Sequence, residues 1–130
     1  MGDSLLKNCY NQGNVEGSFP GGIVGYVYTS ASIANCYNTG KIENIIEEGT
    51  SAGIVSNGFR FGDLNQDNLY YLEGSATIFE RTNKKDPNTK EYMQSQEFVN
   101  ELNKYIDENP IEGITLLKWK YNEGNYPTFE

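Results

Sequence analysis

The chain contains no histidine. That absence excludes Ser-His-Asp and Cys-His nucleophilic machinery and every His-ligated zinc site. Cysteine is scarce too: Cys9 and Cys36 are too few for a four-thiolate metal site and do not make a secreted disulfide framework. Basic residues number 10 against 18 acidic ones, and the formal charge of −8 repels phosphate backbones. No basic stripe with interleaved aromatics offsets this, so nucleic acid is not an expected partner. Apolar runs are only a few residues long, and none is long enough to span a membrane. The opening MGDSLLKN lacks the basic and apolar regions of a signal peptide. Residues 1–5 read as the start of an excised fragment, so that lack carries no information on compartment.

What is present points to β structure. Ten Tyr and 14 Gly accompany only 37% hydrophobic residues, a profile of turns and strands rather than of helix bundles. At 130 residues there is room for one modest core, or for one domain plus a cap.

The phrase NCYNQG at residues 8–13 returns as NCYNTG at residues 35–40. Leu6, Asn8, Cys9, Tyr10, Asn11, Gly13 and Val15 align with Ile33, Asn35, Cys36, Tyr37, Asn38, Gly40 and Ile42, a spacing of 27 residues. A second signature follows each copy, Gly21-Gly22-Ile23-Val24-Gly25 and then Ala52-Gly53-Ile54-Val55-Ser56. Gly22 and Gly53 lie 31 apart, which puts about four extra residues into the loop from Glu43 to Ser51. A degraded third copy, Asn68-Leu69-Tyr70-Tyr71, sets Leu69 in the cysteine position at a spacing of 33.

Such a period, with fixed Gly, Asn and aliphatic positions on strand-length segments, predicts a right-handed β-solenoid of about two to three coils. Gly13 and Gly40 suit turns of positive φ, and Gly22 and Gly53 suit corners where coils approach closely. Stacking in register puts equivalent residues roughly 4.8 Å apart, so Cys9, Cys36 and Leu69 should form an inward apolar ladder. Free thiols and a disulfide both remain open, although parallel Cβ vectors are poorly aimed for a bond. Asn8 and Asn35 should form an amide ladder at a corner.

The pattern aliphatic-x-Asn-Cys-Tyr-Asn-x-Gly-x-aliphatic followed by Gly-Gly-Ile-Val-Gly resembles the GLUG motif repeats of bacterial secreted and surface proteins. Such repeats also occur in the N-terminal regions of IgA-specific metallopeptidases, and their arrays look like adhesin stalks in gut and oral Firmicutes. The resemblance covers residues 6–72, with a full glycine motif through Gly25 in the first unit and Ser56 in that place in the second. It implies an extracellular or bacterial cell-surface location, neighbouring repeats of a parent chain, and host glycans or extracellular matrix proteins as partners.

From residue 73 to 130 the pattern changes to a C-terminal α/β cap. Residues 82–89 read as a loop, a helix is expected over about 90–107 with Ser95 capping its main part, and a last strand over Ile114–Tyr121. Met93, Phe98, Leu102, Leu116 and Trp119 would supply apolar surface to cover the open end of the repeats. The upstream end shows no comparable cap, so further coils are expected before Asp3. The tail is also similar to the family, where a Met-x-Ser-x-x-Phe helix and a Trp before an Asn-Gly-Tyr-Pro-like phrase close the array.

Candidate chemistry is thin. Cys9 or Cys36 as a nucleophile would need an activating neighbour, and Lys7 falls on the opposite face of an alternating strand. Glu43, Glu47, Glu48, Asp63 and Asp67 are acids by type, but no spacing singles out a glycosidase pair. Asp63-x-Asn65-x-Asp67 begins like a calcium loop, yet Asn68 and Gly74 stand where the EF-hand needs its glycine and bidentate acid. The glycine motif lacks the Lys-Ser/Thr of a phosphate loop. Tyr10, Tyr26, Tyr28, Tyr37, Tyr70 and Tyr71 lie on or beside the repeats. An outward row of Tyr10, Tyr37 and Tyr70 would face a ligand; the alternative, favoured by repeat packing, is a ladder of mutually stacked rings.

The expected protein is therefore a non-catalytic structural and adhesion fragment, with no cofactor or metal, that extends and presents binding regions. A carbohydrate-binding accessory module of a secreted enzyme is the alternative, and a polysaccharide-acting enzyme a more distant one.

Overall fold

A computed structural model describes residues 4–25, 27, 30–46, 51–56, 64–76 and 87–130. The described chain is mainly β with few helices. It divides into two compact units, Met1–Pro87 and Asn88–Glu130.

In the first unit the strands stack in parallel at the spacing of the repeat. Strand β1 (Ser4–Lys7) and β2 (Tyr10–Asn11) both pair with β4 (Ala31–Asn38), whose other edge pairs with β6 (Leu64–Tyr71). The register sets Leu6 beside Ile33, Tyr10 beside Tyr37, Cys36 beside Leu69 and Tyr37 beside Tyr70. Strands β3 (Val15–Gly17) and β5 (Ile42–Asn44) pair in the same sense, and isolated bridges join Gly21 to Ala52 and Val24 to Val55. The first two sets keep the offset of 27 between first and second copy. The third set shifts to 31, so the extra residues fall between β5 and Ala52 without disturbing either pairing.

A left-handed residue sets the inward pattern of each long strand. Ile33 and Cys36, three apart, are both buried in one cluster with Val27, Ile54, Val55, Leu69 and Tyr71. A regular strand would turn residues three apart to opposite faces. The kink at Asn35, φ +55°, brings both inward.

Close approach, not positive φ, explains Gly22, Gly40 and Gly53. Gly13, Gly22, Gly40 and Gly53 are absent from the positive-φ residues, which corrects the turn geometry expected of Gly13 and Gly40. A Cβ on Gly40 would lie 1.9 Å from the Gly13 carbonyl oxygen, and one on Gly22 would lie 2.1 Å from that of Gly53. On Gly13 it would meet only the side chain of Asn11, at 3.6 Å, and on Gly25 nothing within 4 Å. Ser56 therefore stands in for the last glycine without penalty, its N–H donating to the Val24 carbonyl at 2.9 Å.

The second unit holds two helices where one was expected. Helix α1 (Lys90–Met93) is capped by Thr89, and α2 (Gln96–Glu108) by Ser95. Ser95 is extended, φ −95° and ψ 158°, because its hydroxyl accepts from the Phe98 N–H at 3.1 Å, and this N-cap conformation breaks the helix. Phe98, Val99, Leu102 and Ile106 form the buried stripe of α2. The expected strand over Ile114–Tyr121 shortens to β7 (Trp119–Lys120), paired antiparallel with β8 (Thr128–Phe129). A turn closed by the Ile114 N–H on the Ile111 carbonyl, with Gly113 at φ +78°, occupies the start of that segment. Asn103 of α2 clamps β7: its Oδ1 accepts from the Trp119 N–H at 2.7 Å and its Nδ2 donates to the Trp119 carbonyl at 3.0 Å. Met93 and Trp119 are buried, Leu116 half-buried.

The contrast between two aligned glycines yields a test. Gly40→Ala should lower unfolding stability by about 2 kcal/mol, because the methyl group must displace backbone. Gly13→Ala should change it by less than about 0.5 kcal/mol. Urea unfolding of both variants measures this, and equal losses would refute the stacking contact.

Candidate functional site

The repeat residues converge on a set of ladders that run from one repeat copy, here called a coil, to the next. Asn8, Asn35 and Asn68 all adopt the left-handed region, with φ of +64°, +55° and +52°. Asparagine tolerates this backbone better than other non-glycine residues. The Asn35 Nδ2 donates to Asn8 Oδ1 at 2.9 Å, and the Asn68 Nδ2 donates to Asn35 Oδ1 at 2.7 Å. The amide ladder expected of Asn8 and Asn35 is present, and it extends into the degraded third copy.

A second ladder joins the aligned Asn11 and Asn38. Asn11 Nδ2 donates to Asn38 Oδ1 at 2.8 Å and to the Gly13 carbonyl at 2.7 Å. Asn38 repeats the local pattern, its Nδ2 donating to the Gly40 carbonyl at 3.1 Å and its Oδ1 accepting from the Gly40 N–H at 3.2 Å. Asn38 also lies beneath Gly22, where a Cβ would sit 2.5 Å from its Cγ, and Tyr71 lies likewise beneath Gly53 at 2.5 Å. The glycine of one coil thus makes room for the side chain that follows the tyrosine of the next.

The tyrosines form a stack rather than an outward platform. Tyr10 and Tyr37 have ring centroids 5.3 Å apart and planes inclined by 12°. Tyr37 is fully buried and Tyr70 is 9% exposed, with its hydroxyl donating to Asn68 Oδ1 at 2.7 Å. Tyr37 and Tyr70 are therefore buried rather than open to a ligand, and Tyr10 is half-buried. Tyr26 and Tyr28 lie outside the described residues.

Cys9 and Cys36 are free thiols in the expected ladder position. The Cys9 N–H donates to Cys36 Sγ at 3.4 Å, and the Cys36 thiol donates to the Ala34 carbonyl at 3.1 Å. The pair titrates as a unit. When Cys9 is ionised, the Cys36 S–H donates to its thiolate in place of the Ala34 carbonyl and lowers Cys9 to about 7, partly offset by burial. The same bond and burial hold the Cys36 proton far above the ordinary thiol range.

Among the described residues of this unit there is a cleft of about 850 Å³ whose lining includes Glu16, Lys41, Glu43, Asn44, Ile45 and Ser75. It lies at the start of the loop from Glu43 to Ser51, of which residues 47–50 are outside the described set. Lys41 Nζ and Glu43 Oε1 form an exposed ion pair at 2.6 Å. Glu16 and Glu43 are register partners on β3 and β5, so their carboxylates stand side by side on one sheet rather than flanking a bond from two sides. Glu47, Glu48 and Asp63 are outside the described residues. Asn65 and Asp67 lie on β6, in a strand rather than in a loop of the calcium-binding kind. Among the described residues no three acidic or thiol side chains cluster as a metal site would require.

This arrangement is that of a parallel-stacked β repeat. Residues 20–43 match the family model of the GLUG motif, a stretch that begins at the glycine corner and includes the next Asn-Cys-Tyr-Asn. Gly22 and Asn38, which touch, both fall within it. No curated protein and no solved structure matches the chain.

Two measurements test the ladders. Asn35→Gly should cost about 1–2 kcal/mol for its lost amide bonds, and Asn35→Ala about 2–4 kcal/mol because a Cβ without a compensating amide is strained at that φ. An alanine variant as stable as the glycine one would refute the account. Iodoacetamide should alkylate Cys9 in the native protein with a half-maximal rate near pH 7, by the lowered pKa. Cys36 should react only after unfolding, and equal labelling of the two, read by peptide mass spectrometry, would contradict the burial order.

Proposed function

We propose that the first unit is a right-handed β-solenoid segment, non-catalytic, from a bacterial extracellular surface protein, and that it extends and presents binding regions. The observation that carries this reading is where the repeat residues are used. Asn8, Asn35 and Asn68 bond to one another, Tyr10 stacks on Tyr37, and Cys36 faces Leu69. Residues consumed by contacts between coils build length, and are not available to a substrate. The handedness follows the general chirality of parallel β connections. The GLUG match over residues 20–43 supports a repeat-type extracellular region.

Recognition of a host glycan or matrix protein is assigned to the loops, chiefly the one that opens at Glu43. A carbohydrate-binding accessory role is the second reading, favoured by the polar cleft of Glu16, Lys41, Glu43 and Asn44. The full chain should be screened on arrays of glycans and matrix proteins and incubated with a polysaccharide panel. Binding that falls at least about tenfold with Lys41→Ala or Glu43→Ala, and survives Tyr10→Ala, is the expected result. Release of new reducing ends, abolished by Glu43→Gln, would overturn the non-catalytic reading.

A further inference from the structure

The cleft that crosses the repeat copies beside Glu43 holds two groups that the fold leaves unused. Ser75 supplies the first. Its backbone is committed, the N–H donating to the Leu72 carbonyl at 3.1 Å and the carbonyl accepting from the Ile42 N–H at 2.7 Å. Its hydroxyl is not. Ser75 lines the cleft at 5% exposure, and its Oγ has no hydrogen-bond partner among the described residues. Native folds rarely leave a buried hydroxyl unpaired, because the lost hydration goes uncompensated, and a group seated in the cleft is what can reach this one.

Glu16 supplies the second. It is exposed and has no ion-pair partner among the described residues, whereas Glu43, its register partner, is held by Lys41 at 2.6 Å. Register partners on adjacent strands stand roughly 4.8 Å apart. Two carboxylates at that spacing share a single ammonium, so the described lining keeps one uncompensated negative charge. An anionic sugar would be repelled from such a site. A neutral polyol would pair with Ser75 and leave the charge unanswered. A sugar that carries a protonated amine beside its hydroxyls meets both demands.

We propose that this cleft binds an amino sugar whose nitrogen is unacetylated, with Glu16 and Glu43 on the ammonium and Ser75 on a ring hydroxyl. The proposal deepens the carbohydrate-binding reading given above and rests on it. Hydrogen bonds from an ammonium to carboxylates are the stronger, charge-assisted kind, and they fix which end of the sugar faces β3 and β5. The Ser75 hydroxyl both donates and accepts, so it takes either sense of a partner hydroxyl. Ile45, exposed and part of the same lining, offers apolar surface to the C–H face of the ring. A volume of about 850 Å³ is that of a small-ligand site. Acetylation of the nitrogen would remove the charge that Glu16 requires.

Glucosamine, N-acetylglucosamine, glucose and butylamine are titrated into the full chain by calorimetry at about pH 6, where a sugar amine is protonated. Glucosamine should saturate with a Kd at or below about 1 mM, and each of the others should bind at least about tenfold more weakly. Glu16→Gln and Ser75→Ala should each weaken glucosamine at least about fivefold, while Glu123→Gln in the second unit should leave it unchanged. Without ligand, Ser75→Ala should keep or raise the urea midpoint, since it deletes an unpaired hydroxyl. A lowered midpoint would give that hydroxyl a structural partner and overturn its assignment. Butylamine binding as tightly as glucosamine, or glucosamine binding equally to the Glu16→Gln or Ser75→Ala chain, would overturn the site. Glucose or N-acetylglucosamine binding as tightly as glucosamine, and weakened by Lys41→Ala, would refute the amine and leave the carbohydrate reading standing. No binding by any of the three sugars, together with a blank glycan array, would remove both.

Discussion

The structure of the first unit depends on an asparagine that bends the strand and bonds along the stack at once. At Asn8, Asn35 and Asn68 the backbone enters the left-handed region, which most residues avoid at a cost of about 1–2 kcal/mol. The bend alone would leave a buried polar side chain, Asn35 being fully buried. The neighbouring coils remove that cost, since Asn35 accepts from Asn68 and donates to Asn8. The conformation and the stacking are thus mutually required: the amide has a partner only if the next coil is in register, and the register holds only if each coil bends at the same residue. Inward placement of both Ile33 and Cys36, and the sequence of core contacts that follows from it, is a consequence of that one kink.

Glycine sets the distance over which the asparagines work. Gly22 clears the way for Asn38 and Gly53 for Tyr71, so each coil leaves a gap for a side chain of the next. The coupling explains how the loop after β5 absorbs extra residues while the paired segments keep their partners. Ladder positions are constrained on both sides, whereas turn residues answer only to closure of the loop, whose entropic cost rises slowly with length. It also explains what decays in the third copy. Tyr71 replaces the second asparagine, ending the Asn11–Asn38 ladder, but it is buried against Gly53 and keeps the coil closed on its apolar side.

Much of this was legible because a repeat that stacks in register writes its contacts into its spacing. The partnership of Cys36 with Leu69 and of Tyr37 with Tyr70 follows from aligning the copies, and so does the Asn8–Asn35 bond. The role of glycine was less legible. A tight turn and a close approach leave the same letter, and only three-dimensional distance separates Gly40, pressed by a carbonyl, from Gly13, which is not. The division of the helix at Ser95 could be read in part, since Ser with Glu97 in the first turn is a capping signal, but Thr89 capping a separate single turn could not. The cleft beside Glu43 was invisible, because Glu16 and Gly74–Ala76 come to it from different coils and share no motif. Residues 47–50 and 57–63 and Tyr26 and Tyr28, on which the ligand-facing readings partly rested, lie outside the described residues.

The same economy separates the residues that make the stack from those free to recognise something. Inward and ladder positions are committed to neighbouring coils, so a change there alters the stack before it alters any surface. Glu16, Lys41, Glu43 and Ile45 lie on the outer side of β3 and β5 or just beyond it, and Ile45 is 61% exposed. Asn44 joins the two regimes: its Oδ1 accepts from the Phe19 N–H at 3.0 Å and its Nδ2 donates to the Ile46 carbonyl, so one side chain ties the corner of the first coil to the loop of the second. Phe19, held there with φ +50° and 42% exposed, is a bulky side chain in a backbone region that favours glycine. Asn44 thus ties the start of the loop to the stacked strands, and a change in the residues beyond it leaves the β3–β5 register in place.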